Sequence, residues 1–546
     1  MQDAWIRGAT LLAMGLGAAA CGTEQRPSEP MSPTSLTGLT DGNGTMGSGP
    51  ADTGSSDTME KLDVAVGETE NGSDGTNPGT CAEAAMAESN QGCEFWAVDL
   101  PNAWAGSNGS PAPADQQFAV VVANTSSDLP AMVEVFIGGD AAPVAMAEVP
   151  IGEIHEFRLD PLNQEPRANT YDGQAYRVES SVPITAYQFN PLDNTVNVFS
   201  NDASLLFPTH VLDTDYTAVT GDSILLGTDQ DPNGDNSGAF ISIVAIEDGT
   251  TVDLFPSWGL YAGAEQGVML DRGQVFTAVS LGPNTFPGST GDGNLSGSRI
   301  VADMPVAVFS GNVATIEPNP GECCADHMEQ QMLPLVAWGS GYASAPPPSP
   351  MGGATDNAAG YRITGSFDGT ALSYSPSAPA GAPNMINAGQ TIRFQTDQPF
   401  TVTSNDPDQP FAITQFLLSN QILAPFGQAG DPAMISLPAV AQFQTSYIFL
   451  VPDGYVSNFV TVLRVAGTDV ARDGVSVAAA NWRSVGTLDG IDYEYAALSV
   501  PTGSHLIESE EPCGIVSVGY DADVSYGYPG GSGLMVISTP PPPPAG

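Results

Sequence analysis

Gly297-Ser-Arg-Ile-Val-Ala-Asp-Met-Pro-Val-Ala-Val-Phe-Ser-Gly311 reads as a short strand, a polar step, a proline and then a strongly apolar strand. The pattern occurs four times. Val178–Pro183 leads into Ile184–Phe189, Ile300–Pro305 into Val306–Phe309, Val402–Pro410 into Phe411–Phe416, and Ile507–Pro512 into Cys513–Val518. Proline fixes φ and has no N–H, so it suits the first residue of a strand and not its middle. Each step is therefore expected to close one strand and open the next. Four copies mark a repeat protein.

Working outward, three copies also share an opening. Phe207-Pro208 precedes Tyr216, Leu333-Pro334 precedes Tyr342, and Leu437-Pro438 precedes Tyr447, with Leu100-Pro101-Asn-Ala-Trp104 as an expected degenerate first copy. Between opening and closing lies an alternating run that meets a tight turn. Ile241–Ile246 meets Asp248-Gly249-Thr250, Tyr361–Thr364 meets Asp368-Gly369-Thr370, and Val460–Val465 meets Gly467-Thr468. Asp-Gly between apolar runs of period two signals a hairpin, because such turns need φ > 0. A later strand starts at Gly152, Gly273, Gly389 and Gly503.

The expected fold is all-β, with four tandem sandwich-like units of roughly 100–120 residues each. A propeller-like ring of the same strands is the alternative. The expected bounds are residues 81–200, 201–322, 323–430 and 431–539, followed by a Pro-rich tail at 540–546.

The 546 residues carry 13 basic against 62 acidic side chains, a net charge of −49, and Lys61 is the only lysine. So acidic a chain repels nucleic acid, whose phosphates need Lys and Arg. A phosphate loop with a Gly-Lys-Ser/Thr core has no lysine to use, since Lys61 follows Glu60. Charged residues at 14% fall below the usual ~25%, while 61 glycines and 46 prolines call for many turns.

Residues 1–20 have Arg7 followed by a short run of small apolar residues ending Ala18-Ala19-Ala20-Cys21. That run is too short to span a bilayer and reads as an export signal. It resembles a lipobox, which implies cleavage before Cys21 and acylation of its thiol. The membrane would then be reached only through that lipid. Gly22 and Thr23 favour the outer membrane or cell surface. Residues 21–80 lack aromatics after the cysteine and read as a disordered spacer reaching roughly 45 Å.

Five cysteines remain in a chain expected to be exported: Cys81, Cys93, Cys323, Cys324 and Cys513. Cys81 and Cys93 flank a short loop and form the expected pair, worth ~3 kcal/mol on the chain-entropy model. Cys513 is a partner for Cys323 or Cys324. A zinc site of Cys323, Cys324 and His327 is the sharper alternative, but its spacing matches no standard finger. Asp229, Asp231, Asn233 and Asp235 place oxygens at alternate positions before and after Gly234, as in the first half of a calcium loop. Phe240 stands where that loop would need its glutamate. No Gly-x-Ser-x-Gly elbow occurs, and His155-Glu-Phe-Arg-Leu159 lacks a second zinc-protease histidine.

The span from Glu94 to Ser538 resembles the N-terminal domain of IgG-Fc-binding proteins, in the version found in bacterial surface lipoproteins. The carrying residues are Leu295–Asn312, the hairpin-like Ala245–Val252, and the string Asp326-His327-Met-Glu329-Gln330-Gln-Met-Leu-Pro334 with Trp338-Gly339. The resemblance implies a secreted or surface binding module and not an enzyme. The expected function is a lipid-anchored, non-enzymatic module that binds extracellular glycan, glycoprotein or a cell-surface protein. A secreted hydrolase acting on polysaccharide and a self-associating matrix protein are the alternatives.

Overall fold

The computed structural model describes residues 78–544 except 104–111, 163–169, 193–199, 225–237, 261–264, 282–292, 319–324, 351–355 and 424–428. These residues are nearly all β, with short helical turns and sheets that curl around shared strands. No helix among them is long and apolar enough to cross a membrane.

Three of the four strand–proline–strand motifs turn out to be single long strands: Tyr176–Asn190, Arg299–Thr315 and Gly503–Asp521. Their prolines sit mid-strand, contrary to expectation, and the pairing explains why. Arg299–Ala302 pairs with Thr250–Phe255 and with the opening strand Asp213–Thr217. From Val306 onward the same strand pairs with Ala239–Ala245 and with Asp326–Gln331. The ladders skip residues 303–305, and Pro305 is the last of the three. They likewise skip 181–183 and 510–512, ending at Pro183 and Pro512. Proline thus stands where the strand changes partners and no N–H is needed. In the remaining copy the step is longer, Asn405-Asp-Pro-Asp-Gln-Pro410, and the strand breaks into Phe400–Ser404 and Phe411–Phe416.

The mid-unit turns have the expected chemistry but not the expected pairing. Gly249, Gly369 and Gly467 all take positive φ, at 76°, 72° and 87°. Yet the strands on either side of each turn do not pair with each other. Ala239–Ala245 pairs with the second half of the long strand, and Thr250–Phe255 with the first half. The turn is a corner that carries the chain between the two halves, and the same pairing recurs in all four repeats.

Opening and closing motifs meet through tyrosine. The Asp213 N–H donates to the Tyr216 hydroxyl (2.9 Å), which donates to the carbonyl of Val306, directly after Pro305 (2.8 Å). Tyr342 receives the Gly339 N–H and donates to Phe411, after Pro410 (2.5 Å). Tyr447 receives the Gln444 N–H (2.7 Å) and donates to Cys513, after Pro512. The first repeat differs. Its opening strand is Gly92–Ala97, and Gly92 pairs directly with Ile184 after Pro183. Leu100-Pro101 follows that strand instead of preceding it, so it is not the degenerate opening.

Each repeat ends in a strand beside its long strand: Asp202–Leu205, Asp326–Gln331, Met434–Ser436 and Val524–Pro529. These four touch in cyclic order, the last returning to the first. The chain also closes at its ends, where Asn90 N–H donates to Ser532 (3.2 Å) and Leu534 N–H to Glu88 (2.6 Å). The core of the first repeat accordingly runs on into Phe240 and Phe309 of the second and Tyr526 and Tyr528 of the fourth.

Replacing Tyr216 or Tyr447 by Phe removes two hydrogen bonds at a buried corner while keeping the ring. Each substitution is expected to cost about 1–3 kcal/mol. The double variant should lose close to the sum, since the sites lie in separate repeats. Urea unfolding measures this, and midpoints indistinguishable from the parent would rule out the corner bonds as a stabilising element.

Candidate functional site

At the entrance to the β region, Thr80 caps the short helix Cys81–Ala84, with Glu83 bonding back to the Thr80 N–H. The Cys81–Cys93 disulfide ties this helix to the opening strand. Cys513 is a free, buried thiol, pushed up to about 12 by burial, which corrects its expected role in a disulfide. Its place at the start of the second half of Gly503–Asp521 points its thiol into the core with Ile507 and Ile515. Cys21, Cys323 and Cys324 lie outside the described residues, as do Asp229, Asp231, Asn233 and Asp235.

The densest chemistry lies where the four ring strands meet. Asp202, Asp326, His327, Glu329, Gln330 and Asp431 are all buried there. Asp202 Oδ2 accepts the N–H of Glu329 (3.1 Å) from the second repeat and of Met434 (3.2 Å) from the third. Gln330 Nε2 donates to Ala203 O (2.8 Å) in the first repeat and Gly527 O (3.2 Å) in the fourth. Asn420 Nδ2 reaches Asp523 (2.7 Å), and Asp431 N–H reaches the Ser525 hydroxyl (2.8 Å). Polar side chains thus join all four repeats at their common centre.

His327 Nε2 and Glu329 Oε2 lie 3.2 Å apart with neither side chain exposed. Burial lowers His327 to about 3 and raises Glu329 well above the usual carboxyl range. The contact is therefore a neutral hydrogen bond and not an ion pair, because desolvating both charges outweighs their attraction. Glu329 Oε1 accepts from Gln188 Nε2 (3.2 Å), so both of its oxygens are engaged. The string Asp326–Gln331 that carried the family resemblance is thus the hub of the scaffold. Sequence reasoning singled out the string but not its burial, which only the ring closure creates.

A second feature opens to the surface. A cavity of about 200 Å³ is lined by Glu317, Tyr361, Arg362, Arg393, Phe394 and Phe416, among others. Arg362 pairs with Glu317 (2.5 Å) and lies over the Phe416 ring at 4.0 Å, while Arg393 pairs with Asp222 (2.7 Å). The pairing of arginine is general. Each of the nine described arginines has an acidic partner, so positive charge on this surface is already neutralised.

Comparison with known proteins bears on this framework. The family described as IgGFc binding protein matches residues 202–519, from the first ring strand to the end of the last long strand. The human IgGFc-binding protein is 23% identical over 266 residues, 48% of this chain. The chain spans only 5% of that relative's length. Among solved structures, an anti-sigma factor domain-containing protein from Clostridium clariflavum aligns over 74% of this chain and 97% of its own at 8% identity. Its TM-score is 0.11.

The buried acid of Glu329 sets a pH dependence. Its folded pKa lies above its unfolded value, so it favours the fold at low pH and loses that contribution as pH rises toward the folded value. His327 acts oppositely, but only between about 3 and its unfolded value near ~6.5. Surface carboxylates are already ionised above that point. Burial shifts Asp202, Asp326 and Asp431 the same way, so the parent's melting temperature should fall as pH rises above the ordinary carboxyl range, and Glu329→Gln should reduce that slope without abolishing it. Scanning calorimetry of both proteins across that range checks it; equal slopes would exclude Glu329 as a source.

Proposed function

The chain belongs to the IgGFc-binding family, and from that premise we propose that it is a non-enzymatic binding module displayed at the cell surface. Its partner would be an extracellular protein or glycoprotein, with glycan as part of the recognised surface. A lipid on Cys21 and the spacer at residues 21–80 would hold it at the outer membrane and extend it outward. The observation that supports the reading best is the family match over residues 202–519, on a framework whose strongest titrating groups are walled into its centre. Groups so placed brace a scaffold. Contact with a partner then falls to the outer loops and the sheet faces.

The printed name of the human relative says that it binds IgG Fc. For this chain, antibody is one probe among several. Immobilised full-length protein would be exposed to IgG Fc, to a mucin-type glycoprotein and to neutral polysaccharide, with released sugar assayed in parallel. Retention of a protein or glycoprotein without product is the expected result. Soluble sugar release would overturn the reading in favour of a hydrolase. Concentration-dependent oligomers with no retention would favour a matrix protein.

Anchoring is tested separately. Cys21→Ser should abolish incorporation of labelled palmitate and move the protein from the membrane to the soluble envelope fraction. Unchanged labelling would remove the lipid from the proposal.

A further inference from the structure

The polar centre is satisfied unevenly. Asp202 and Glu329 have both carboxyl oxygens engaged by N–H groups or by His327. Asp326 and Asp431 do not. Asp326 Oδ1 accepts the N–H groups of Asn201 (2.7 Å) and His327 (2.8 Å), but Oδ2 has no hydrogen-bond partner. Asp431 is held by the N–H of Asn420 (3.2 Å), and its Oδ2 is likewise without one. The third such oxygen nearby is Asn201 Oδ1, whose amide group is turned by its own Nδ2 bond to the Tyr455 hydroxyl (2.8 Å). These residues are 0%, 1% and 0% exposed for Asp326, Asp431 and Asn201.

Three buried oxygens without a hydrogen-bond partner are costly, and native proteins leave few such groups. They come from three different repeats, drawn together by the ring strands. Two are carboxylates, and Asp431 is the charged neighbour that acts most strongly on Asp326. Burial raises both carboxyls well above the usual range, so alone they favour the protonated form, and a hard divalent cation, which takes oxygen ligands, would hold them as carboxylates beside the neutral carbonyl. Softer metals find little here. The set offers two carboxyls and one amide carbonyl with no nitrogen or sulfur ligand, and no three of His, Cys, Asp or Glu form a metal cluster among the described residues.

We propose that Asp326, Asp431 and the Asn201 side-chain carbonyl bind a hard divalent cation of the calcium class, which pins the first three repeats together at the centre of the ring. The rest of its coordination shell would come from backbone carbonyls or water. The site is separate from the acidic turn at residues 229–235. Because it is enclosed, binding is coupled to folding, and the cation acts as a structural staple.

The test uses the full chain, measured for metal content and for melting temperature in calcium and in EDTA. About one bound divalent ion per chain is expected, with a melting temperature several degrees higher in calcium. Asp326→Asn and Asp431→Asn should each abolish that difference, while Asp229→Asn with Asp231→Asn leaves it intact. Should the first two fail to fold, Asn201→Asp decides. It adds a third charge, so it should lower the melting temperature in EDTA and raise it in calcium. A parent protein that binds no metal and melts identically in both buffers would overturn the proposal. So would Asp326→Asn raising the melting temperature regardless of calcium, since a proton shared between the two acids explains that result. Calcium dependence that survives Asp326→Asn but disappears with the Asp229/Asp231 pair would also overturn it, by moving the site to the turn.

Discussion

A strand that leaves one pair of neighbours for another must pass through residues whose backbone groups have no ladder partner. Buried groups of that kind are expensive. Two residues solve the problem here. Proline removes the N–H at the end of the gap, and the tyrosine hydroxyl takes up the carbonyl that follows. Because the tyrosine belongs to the opening strand, the bond also fixes where each of the last three repeats begins relative to where it ends. The two halves of the long strand then direct one pair of neighbours to each side.

The ring follows from that corner. With the second half of every long strand aimed inward, each final strand is brought beside those of its neighbours. Asp202, Asp326, Gln330 and Asp431 then bond across repeat boundaries as well as within them. Apolar packing tolerates sliding, whereas a buried amide or carboxyl finds its partner in one register alone. The polar centre therefore acts against misordered repeats, at some cost in stability. The Asn90–Ser532 and Glu88–Leu534 bonds complete the closure near the chain's ends.

What the sequence made legible was local. The Pro-to-Tyr spacing marked the openings, the glycines at Gly249, Gly369 and Gly467 marked positions of positive φ, and Cys81 with Cys93 marked a staple. What it hid was non-local. Asp248-Gly249 dictates a sharp turn, but whether its flanking strands pair depends on a long strand some fifty residues away. Pro305 looked like a boundary because nothing local reveals that its missing N–H falls in a gap between two ladders. Asp326-His327 with Glu329-Gln330 read as a signature of unknown role, since only closure of the ring removes those polar side chains from water. Cys513 looked like half of a disulfide and is instead core.

That placement narrows how recognition can work. Most of the residues carrying the family resemblance are interior, with Glu247, Asp248 and Asp303 the exposed exceptions, so the match reports chiefly a shared scaffold. The charge distribution then constrains the contact surface. With every described arginine already paired and acids in large excess, a partner meets negative charge almost everywhere. A polyanionic surface would be repelled over a Debye length of about 8 Å at physiological salt. A basic protein surface would be drawn in, while a neutral one would be neither steered nor repelled. Such a surface would discriminate between partners first by charge and only then by shape.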